Sequence, residues 1–339
     1  MARYRVLLAG CGSMANTWVD YALKHSDIDI VGLVDINEAN AKAFSNEHQL
    51  KVPIFREVKE GASATEANVV FDTTIPDAHK EIAISSFEAG CDLMAEKPMA
   101  SSIEDARQLV AAAEASNRFY AVMQNRRYIN QIRALRRVIR DDVIGKTSFV
   151  SADFFMAPHF GGFRDAMESP LILDMAIHTF DQARFIIGAD PVSVYCHEFN
   201  PEGSWYKGNA AAICIFEMSD GSVFNYRGSW CAEGVPTSWE STWRVNGTKG
   251  TAIWDGVHSP FYETVKPTSE KVFLNEFTRE QIEVPEKIRE GHFGCLDEMF
   301  TALSEGRQAE TDCRDNIKSM EMVFGALESA AKGEKILLG

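Results

Sequence analysis

The chain opens with a glycine-containing segment that fits very few folds. The apolar run Tyr4–Ala9 is typical of a buried strand, and it is followed directly by Gly10-Cys-Gly12-Ser-Met-Ala15, a G-x-G-x-x-A pattern. The two glycines let a strand turn tightly into a helix, and they let a pyrophosphate approach the backbone at the helix N-terminus. This segment therefore predicts the first strand, loop and helix of a Rossmann domain.

An acidic residue at a suitable distance supports the same interpretation. A second apolar run, Ile28–Val34, ends in Asp35, 23 residues after Gly12 (35 − 12). A carboxylate there accepts hydrogen bonds from the adenosine ribose hydroxyls of NAD and repels the 2′-phosphate of NADP. No arginine follows closely, so we expect NAD rather than NADP. The expected cofactor contacts of this segment are Gly10, Gly12, Ser13, Met14, Asp35 and Ile36.

Composition excludes several other classes of protein. With 339 residues the chain is long enough for two domains, and its net charge of −15 argues against nucleic acid or an anionic membrane as a partner. No signal peptide precedes the first strand, and no apolar run approaches the ~20 residues that span a bilayer. We therefore expect a soluble cytoplasmic protein. Seven cysteines without a C-x-x-C pair indicate buried thiols, with neither a disulfide framework nor a metal site.

The order of elements predicts an α/β protein with two domains. Strands and helices alternate over residues 1–125, which indicates a parallel sheet covered on both faces. From residue 147 the pattern changes to strands of a large, mainly antiparallel open sheet, interrupted by a helix at 171–187. Two amphipathic helices, at 293–305 and 312–332, close the chain. We expect a Rossmann domain at 1–125 and a substrate-binding and oligomerisation domain at 126–339. The expected strands of the second sheet are 147–157, 192–199, 210–218, 222–231, 240–246 and 250–254.

Two polar segments suggest a proton-handling site. Glu96-Lys97-Pro98 follows an apolar run, so Lys97 would project from the strand end where open α/β sheets bind ligands. In Asp174-x3-His178-x2-Asp181, helical spacing would put three polar side chains on one face of an apolar helix. Taken singly, these residues could be an exposed lysine and a local hydrogen-bonded cap; beside a dinucleotide site, they favour catalysis.

These motifs together resemble the family of glucose–fructose oxidoreductase, inositol 2-dehydrogenase and MocA (Gfo/Idh/MocA) over essentially the whole chain. The resemblance implies NAD(P)-dependent oxidation of a secondary hydroxyl on a sugar, a cyclitol or a related polyol. It implies that Lys97, Asp174 and His178 are catalytic, that Asn125 lies near the nicotinamide and that Arg127 lies near the substrate. The motifs that carry it are Gly10-x-Gly12-x-x-Ala15, Asp35, Thr74-x4-His79, Glu96-Lys97-Pro98, Asn125-Arg-Arg127-Tyr128, Ile144-Gly145 and Asp174-x3-His178-x2-Asp181.

The chemistry of alcohol oxidation assigns roles to the three candidate catalytic residues. A base must take the hydroxyl proton as hydride leaves the carbon for the nicotinamide, and histidine suits this task because its usual pKa lies near ~6.5. His178 is the candidate base, Asp174 binds the substrate or orients the imidazole, and Lys97 stabilises the alkoxide and relays protons. Whether Lys97 or His178 is the principal acid or base stays open. We expect the three to converge on one polar pocket.

Further polar residues are candidates for contacts with the cofactor or the substrate. Thr74, His79, Glu96 and Lys97 lie at or beyond strand ends and are expected at the cofactor, although His79 also fits an ordinary helix N-terminus. The segment 153–170 has two glycines and is expected to cover the substrate, with Asp153, His159 and Arg164 as contacts. Arg127 fits a surface ion pair equally well. Asp181 is expected to be structural.

Three functions from different classes fit these residues. The first is a net NAD-dependent dehydrogenase of a sugar or cyclitol. The second is a glycosidase or epimerase-like enzyme that oxidises its substrate transiently and retains NAD. The third is a sugar-sensing protein without catalysis, which the intact Lys97, Asp174 and His178 disfavour. Aromatic residues on the open sheet also favour a homodimer or homotetramer.

Overall fold

The chain forms two compact units. A computed structural model describes residues 2–284 and 289–339. The first unit comprises Met1–Asn125 and Gly291–Met320, and the second comprises Arg126–Glu290 and Glu321–Gly339. The first unit therefore contains the sequence-based range 1–125 and, in addition, a segment that returns to it from the C-terminal part of the chain.

The first 125 residues alternate strands and helices. The strands are β1 (Tyr4–Ala9), β2 (Ile28–Val34), β3 (Ile54–Phe55), β4 (Val69–Asp72), β5 (Asp92–Ala95) and β6 (Tyr120–Val122). The helices are α1 (Ala15–Ala22), α2 (Glu38–Glu47), α3 (Val58–Thr65), α4 (Pro76–Glu88) and α5 (Ile103–Ser116). Side chains at two N-termini satisfy main-chain N–H groups: Asn37 accepts from Ala39 and Asn40, and Ser102 accepts from Asp105.

All six strands of this unit form one parallel sheet in the order β3-β2-β1-β4-β5-β6. This is the strand order of a dinucleotide-binding doubly wound fold, in which ligands bind beyond the carboxyl ends of the strands. Val6, Leu7 and Leu8 of the central strand are fully buried because the sheet is covered on both faces. The predicted Rossmann fold is confirmed.

The second unit is built on a nine-stranded sheet. Its strands are β7 (Thr147–Phe155), β8 (Pro191–Phe199), β9 (Ala211–Met218), β10 (Val223–Ser229), β11 (Thr242–Gly247), β12 (Gly250–Trp254), β13 (Phe261–Val265), β14 (Phe277–Gln281) and β15 (Ile336–Leu337). They lie in the order β14-β13-β12-β11-β7-β10-β9-β8-β15, and all neighbours are antiparallel except β7 and β10. The predicted mainly antiparallel sheet is confirmed.

The remaining helices complete both units. They are α6 (Asn130–Arg140), α7 (Phe163–Ala166), α8 (Ile177–Ile187), α9 (Gly291–Glu305) and α10 (Cys313–Lys332), with a 3₁₀ turn at Asn125–Tyr128 and a π-helical turn at Leu171–Ala176. The helix α9 belongs to the first unit, where Phe300 packs against the rings of Tyr4, Tyr21 and Phe71 at centroid distances of 4.9, 5.9 and 5.9 Å. The division between the units falls within α10.

The helix α8 covers one face of the nine-stranded sheet. Every residue of α8 is buried, and the ring of Phe180 meets those of Phe216 and Tyr226 edge-on at 4.9 and 5.2 Å. On the opposite face, Tyr195 of β8 is 45% exposed, and Ile213 and Ile215 of β9 are 42% and 43% exposed. One sheet face is therefore core, and the other presents apolar side chains within this chain. No helix in the described part of the chain is long and apolar enough to cross a membrane.

Candidate active site

The glycine loop after β1 is held tightly against the end of β4. Gly10 has φ +86°, and a Cβ on it would lie 2.7 Å from the main-chain nitrogen of Thr74. The Thr73 hydroxyl donates to the Gly10 carbonyl over 2.6 Å and so ties the two loops together. A larger residue than glycine would push these loops apart. Gly12, by contrast, has open space where its Cβ would be.

The N-terminus of α1 is free to bind an anion. Gly12, Ser13 and Met14 are exposed, and the first turn closes by a bond from Ala15 N–H to the Gly12 carbonyl (3.1 Å). Within residues 2–284 and 289–339, the N–H groups of Gly12, Ser13 and Met14 make no hydrogen bond. Open space at Gly12 together with unsatisfied N–H groups fits a pyrophosphate. Gly12, Ser13 and Met14, three of the cofactor contacts predicted from the sequence, are therefore suitably arranged to bind the pyrophosphate of NAD.

Asp35 lies at the end of β2 and fixes this loop. Its Oδ2 accepts from the Cys11 N–H over 2.9 Å, and its Oδ1 accepts from the Asn37 N–H over 2.7 Å. A carboxylate has about four acceptor positions, so room remains for two ribose hydroxyls. Burial, and then the charge of Asp35, raise the pKa of the adjacent Cys11 thiol to about 12. Ile36, which follows, is 81% exposed.

Thr74 and His79 organise the loops after β4 and β5. The Thr74 hydroxyl donates to Asp72 over 2.6 Å. His79 is buried, with Nδ1 2.7 Å from the Pro98 carbonyl and Nε2 3.1 Å from the Thr74 carbonyl. Both imidazole nitrogens of His79 thus contact main-chain oxygens, and the ring links the segment after β4 to the segment that contains Lys97.

Glu96 and Asn125 belong to a chain of polar contacts that includes His292, a residue that the sequence analysis did not identify. Glu96 Oε1 accepts from the Trp18 indole over 2.8 Å and lies 3.6 Å from His292 Nε2. The Asn125 amide nitrogen is 3.2 Å from His292 Nδ1. His292 belongs to α9, nearly 200 residues after Glu96 in sequence, and no local motif marks it. Only the fold of the first unit brings the two together.

The charge of Glu96 is stabilised despite its burial. Burial opposes ionisation, but the contact with His292, the Trp18 N–H and the charge of Lys97 together hold the pKa of Glu96 below its usual value. The second oxygen, Oε2, accepts from the Lys97 N–H over 3.3 Å. Lys97 itself is half-buried directly after β5. The Glu96 carboxylate therefore supports the main chain from which Lys97 projects.

In the second unit, Asp174 lies in the π-helical turn before α8. Its Oδ2 accepts from Arg164 Nε over 2.6 Å. The Arg164 guanidinium also lies over the rings of Phe160 and Phe163, at 4.9 and 4.7 Å. The pair holds the Asp174 carboxylate at one position and links it to the loop predicted to cover the substrate. π-Helical turns are rare, and they occur often at functional sites.

His178 and Asp181 lie one and two turns further along. His178 is 8% exposed, within a helix whose other residues are mostly apolar. Asp181 forms a buried bidentate ion pair with Arg127, with Nε–Oδ2 and Nη2–Oδ1 distances of 2.6 and 2.7 Å. Breaking such a pair by removing one partner costs about 3–5 kcal/mol. The structural role expected for Asp181 agrees with this pair, and Arg127 lies in the interior rather than in a surface ion pair.

The other loop and strand candidates have polar partners within the second unit. Asp153 of β7 accepts from Arg227 of β10 through both oxygens, at 2.8 and 2.5 Å. His159 is 2.9 Å from Glu233 and stacks on the Trp205 ring at 3.8 Å between centroids. Both pairs are substantially exposed to solvent. In the part of the chain that the structure describes, no group of three His, Cys, Asp or Glu side chains is arranged to hold a metal ion.

Comparison with known proteins places both parts of the chain in one family. Residues 4–124 match the profile of the Gfo/Idh/MocA oxidoreductase family with an NAD-binding Rossmann fold, and residues 132–253 match its C-terminal domain. Together these matches cover more than two thirds of the chain.

Individual relatives extend over almost the full length. The chain is 26% identical to an inositol 2-dehydrogenase of Rhizobium meliloti (97% of each chain) and 22% identical to a 1,5-anhydro-D-fructose reductase of Ensifer adhaerens (96% of each). Among solved structures, an oxidoreductase from Agrobacterium radiobacter in complex with NAD⁺, L-tartaric acid and magnesium superposes with a TM-score of 0.86 at 20% identity. That match covers 99% of this chain and 98% of the other.

Proposed function

The chain belongs to the Gfo/Idh/MocA family of NAD-binding oxidoreductases, and from this premise we propose that it is a net NAD-dependent dehydrogenase of a sugar, a cyclitol or a related polyol. The family membership makes it an oxidoreductase acting on CH–OH groups. The finer assignment, to a secondary hydroxyl of a polyol, draws on the names of the two relatives, which specify an inositol and an anhydrofructose.

NAD is the cofactor that the first unit fits, and we propose that the protein prefers it to NADP. The N–H groups of Gly12, Ser13 and Met14, which make no hydrogen bond among the described residues, support binding of the pyrophosphate. Asp35 supports binding of the two ribose hydroxyls. Thr74, His79, Glu96 and Asn125 would then act at the loops that carry the rest of the cofactor. When bound, NAD supplies the carbon that accepts hydride from the substrate.

The protein groups move the proton. We propose that Lys97, Asp174 and His178 act on the same substrate hydroxyl, with His178 or Lys97 taking its proton and the other group stabilising the alkoxide. Asp174 orients the hydroxyl or the imidazole. The observation that carries this proposal is the buried His178, which follows a carboxylate that Arg164 holds in place. The Arg127–Asp181 pair accounts separately for the third polar residue of the motif.

The loop residues have a secondary role in this proposal. Arg164 acts through Asp174, and His159, stacked on Trp205, is a candidate to contact the substrate. In this proposal Arg127 and Asp153 support the second unit instead of contacting the substrate, since each has a bidentate partner of opposite charge.

The test is oxidation of a panel of polyols by the purified protein, followed by the absorbance of NADH. With an active substrate in hand, Lys97→Ala and His178→Ala should each lower kcat about 10²-fold or more, the usual contribution of a general acid or base. NAD affinity should stay nearly unchanged, because neither change touches the glycine loop. Asp174→Asn should cause a smaller loss, divided between kcat and substrate KM.

Three outcomes would contradict parts of this proposal. Near-normal turnover by His178→Ala would leave Lys97 as the principal acid or base. Tight NAD retention without net NADH formation would favour the glycosidase or epimerase-like alternative. Binding of a sugar without any oxidation would favour a sensing protein. Arg244→Ala, a change on an exposed side chain of β11, serves as a control for purification and stability.

We propose further that the protein forms a homodimer or a homotetramer. The open face of the nine-stranded sheet presents Tyr195 directly opposite Ile215 in the β8–β9 register, with Ile213 on the same face. Apolar side chains that lie side by side on a sheet face favour burial against another surface, and a second copy offers the same face.

A further inference from the structure

We propose that His292 is a positioning residue that holds the Asn125 amide and the Glu96 carboxylate at the ends of β6 and β5. The proposal rests on the proposed function, because it concerns the strand ends where the cofactor is proposed to bind. It assigns a task to a residue of α9, a helix that the sequence motifs do not include.

The contacts of His292 link two neighbouring strand ends. Nε2 lies 3.6 Å from Glu96 Oε1, directly after β5, and Nδ1 lies 3.2 Å from the Asn125 amide nitrogen, just beyond β6. The strands β5 and β6 are paired in the sheet. The same Glu96 oxygen accepts from the Trp18 indole of α1 over 2.8 Å. His292 is therefore one of the two inner members of a chain of polar contacts from Asn125 through His292 and Glu96 to Trp18.

One tautomer satisfies the whole chain. With its proton on Nε2, the His292 ring directs this N–H toward Glu96 Oε1 at 3.6 Å and can accept the Asn125 N–H at Nδ1. The Asn125 amide is then oriented with its nitrogen toward His292. Its oxygen accepts no hydrogen bond from the residues that the structure describes. That oxygen is thus available to a hydrogen-bond donor such as the carboxamide N–H group of a nicotinamide.

The Glu96 end of the chain leads to Lys97. Glu96 Oε2 accepts the Lys97 N–H, and loss of the His292 donor would leave a buried carboxylate with one partner fewer. Such a carboxylate is expected to move or to take up a proton. His292 therefore influences both Asn125 and the main chain of Lys97 without touching the substrate itself.

The experiment compares three variants of the full chain. His292→Leu removes both contacts, whereas His292→Gln restores a donor and an acceptor about as far apart as the two ring nitrogens. His25→Leu is the matched control: His25 is similarly exposed, and it links the segment after α1 to α9 through Asp297 at 3.9 Å, away from Glu96. The readouts are the indole N–H resonance of Trp18 in cofactor-free protein, assigned with Trp18→Phe, the Kd of NADH followed by its fluorescence, and kcat.

We expect His292→Leu to shift the Trp18 resonance, to weaken NADH binding several-fold and to lower kcat about tenfold, with the substrate KM within about twofold of the parent. His292→Gln should recover most of kcat and of the resonance position. His25→Leu should leave all three readouts near those of the parent, even if both leucine variants lose similar thermal stability.

Two results would overturn the positioning role. The first is an unmoved Trp18 resonance in His292→Leu. The second is an equal loss of NADH affinity in His292→Leu and His25→Leu, which would indicate a general loosening of α9. If the parent oxidises no polyol, the proposed function fails, but the resonance and the NADH Kd still decide whether His292 positions Asn125 and Glu96.

Discussion

Two main-chain hydrogen bonds hold the Asp35 carboxylate in place. Its two carboxylate oxygens accept the N–H groups of Cys11 and Asn37, which lie in the glycine loop and at the start of α2. Because these bonds hold the carboxylate still, little freedom is lost when ribose hydroxyls bind to its remaining acceptor positions. The same negative charge opposes the phosphate of NADP.

Replacing Asp35 with alanine should reduce the difference between the affinities of the protein for NAD and for NADP. The variant should bind NAD more weakly, by about tenfold, since it loses charged acceptors for two hydroxyls. NADP should bind equally well or better, because the repulsion is gone. Calorimetry with both cofactors measures the ratio of the dissociation constants of NADP and NAD. Asp29→Ala removes an exposed carboxylate from the same strand and is the control for loss of charge. Equal affinity of the parent for NAD and NADP would refute the proposed selectivity.

Among individual residues, the sequence alone identifies those whose role depends on a short motif around them. Gly10 and Asp35 could be recognised because their spacing from β1 and β2 is itself the signal. The contacts of His292 and the pairing of Arg127 with Asp181 could not be recognised, because each contact joins segments that are far apart in sequence. No spacing rule relates a residue of α9 to the end of β5, so such contacts depend on the complete fold.

At the level of elements, the region before α8 differs from its predicted form. The sequence predicts one helix at 171–187 with three polar side chains on one face, whereas residues Leu171–Ala176 form a π-helical turn. The wider turn changes the angular spacing, and Asp174 and Asp181 pair with two different arginines. The apolar composition is the same for either helix type, so the hydrophobic pattern does not distinguish them.

Other elements left no clear pattern in the sequence. The helix α3 is short and rich in small residues. One of them, Gly61, packs closely against β1 and β3: a Cβ on it would lie 3.0 Å from side-chain atoms of Leu7 and Phe55. The strands β13 and β14 lie at one edge of the large sheet and have no fully buried face. Without a buried face, a strand shows no alternation of apolar and polar residues.

Glu198 of β8 accepts a hydrogen bond from the segment before the π-helical turn. Its Oε2 accepts from the Ser169 hydroxyl over 2.9 Å and from the Asn209 amide over 3.4 Å. Burial raises the pKa of Glu198 to about 7, although these two hydrogen bonds act in the opposite direction. Ser169 lies two residues before the turn that contains Asp174.

The raised pKa predicts a loss of stability as the pH increases. Between pH ~4.5 and pH 7 the unfolded chain ionises Glu198 while the folded chain keeps the proton, so the free energy of unfolding falls across this window and levels off above it. Glu198→Gln cannot ionise. Between pH 5 and pH 8 the Tm of the parent should therefore drop by about 2–4 °C more than that of Glu198→Gln. Parallel Tm profiles for the two proteins would contradict the assignment.

On the scale of the whole molecule, the open sheet face determines the expected assembly. Tyr195, Ile213 and Ile215 lie together on β8 and β9, and all three are about two fifths exposed within one chain. The net charge of −15 favours dispersed monomers, so any assembly depends on apolar contact that outweighs this repulsion.

Introducing a charge on this face should dissociate the assembly. We expect the parent to be a dimer or tetramer by light scattering at micromolar concentration, and Ile213→Glu to raise the dissociation constant by about 30-fold or more. Leu23→Glu introduces the same charged residue at an exposed apolar position of the first unit, and it should leave the mass of the assembly unaltered. A monomeric parent would rule out this interface.

The return of α9 to the first unit has a consequence for synthesis on the ribosome. The six strands of the parallel sheet are complete at residue 122, but Phe300, which covers Tyr4, Tyr21 and Phe71, is made only after the 165 residues from 126 to 290. At ~5–20 residues per second, this apolar surface stays uncovered for roughly 10–30 s. We therefore expect the nascent first unit to bind chaperones during that interval, and a chain that terminates before α9 to be degraded by proteases.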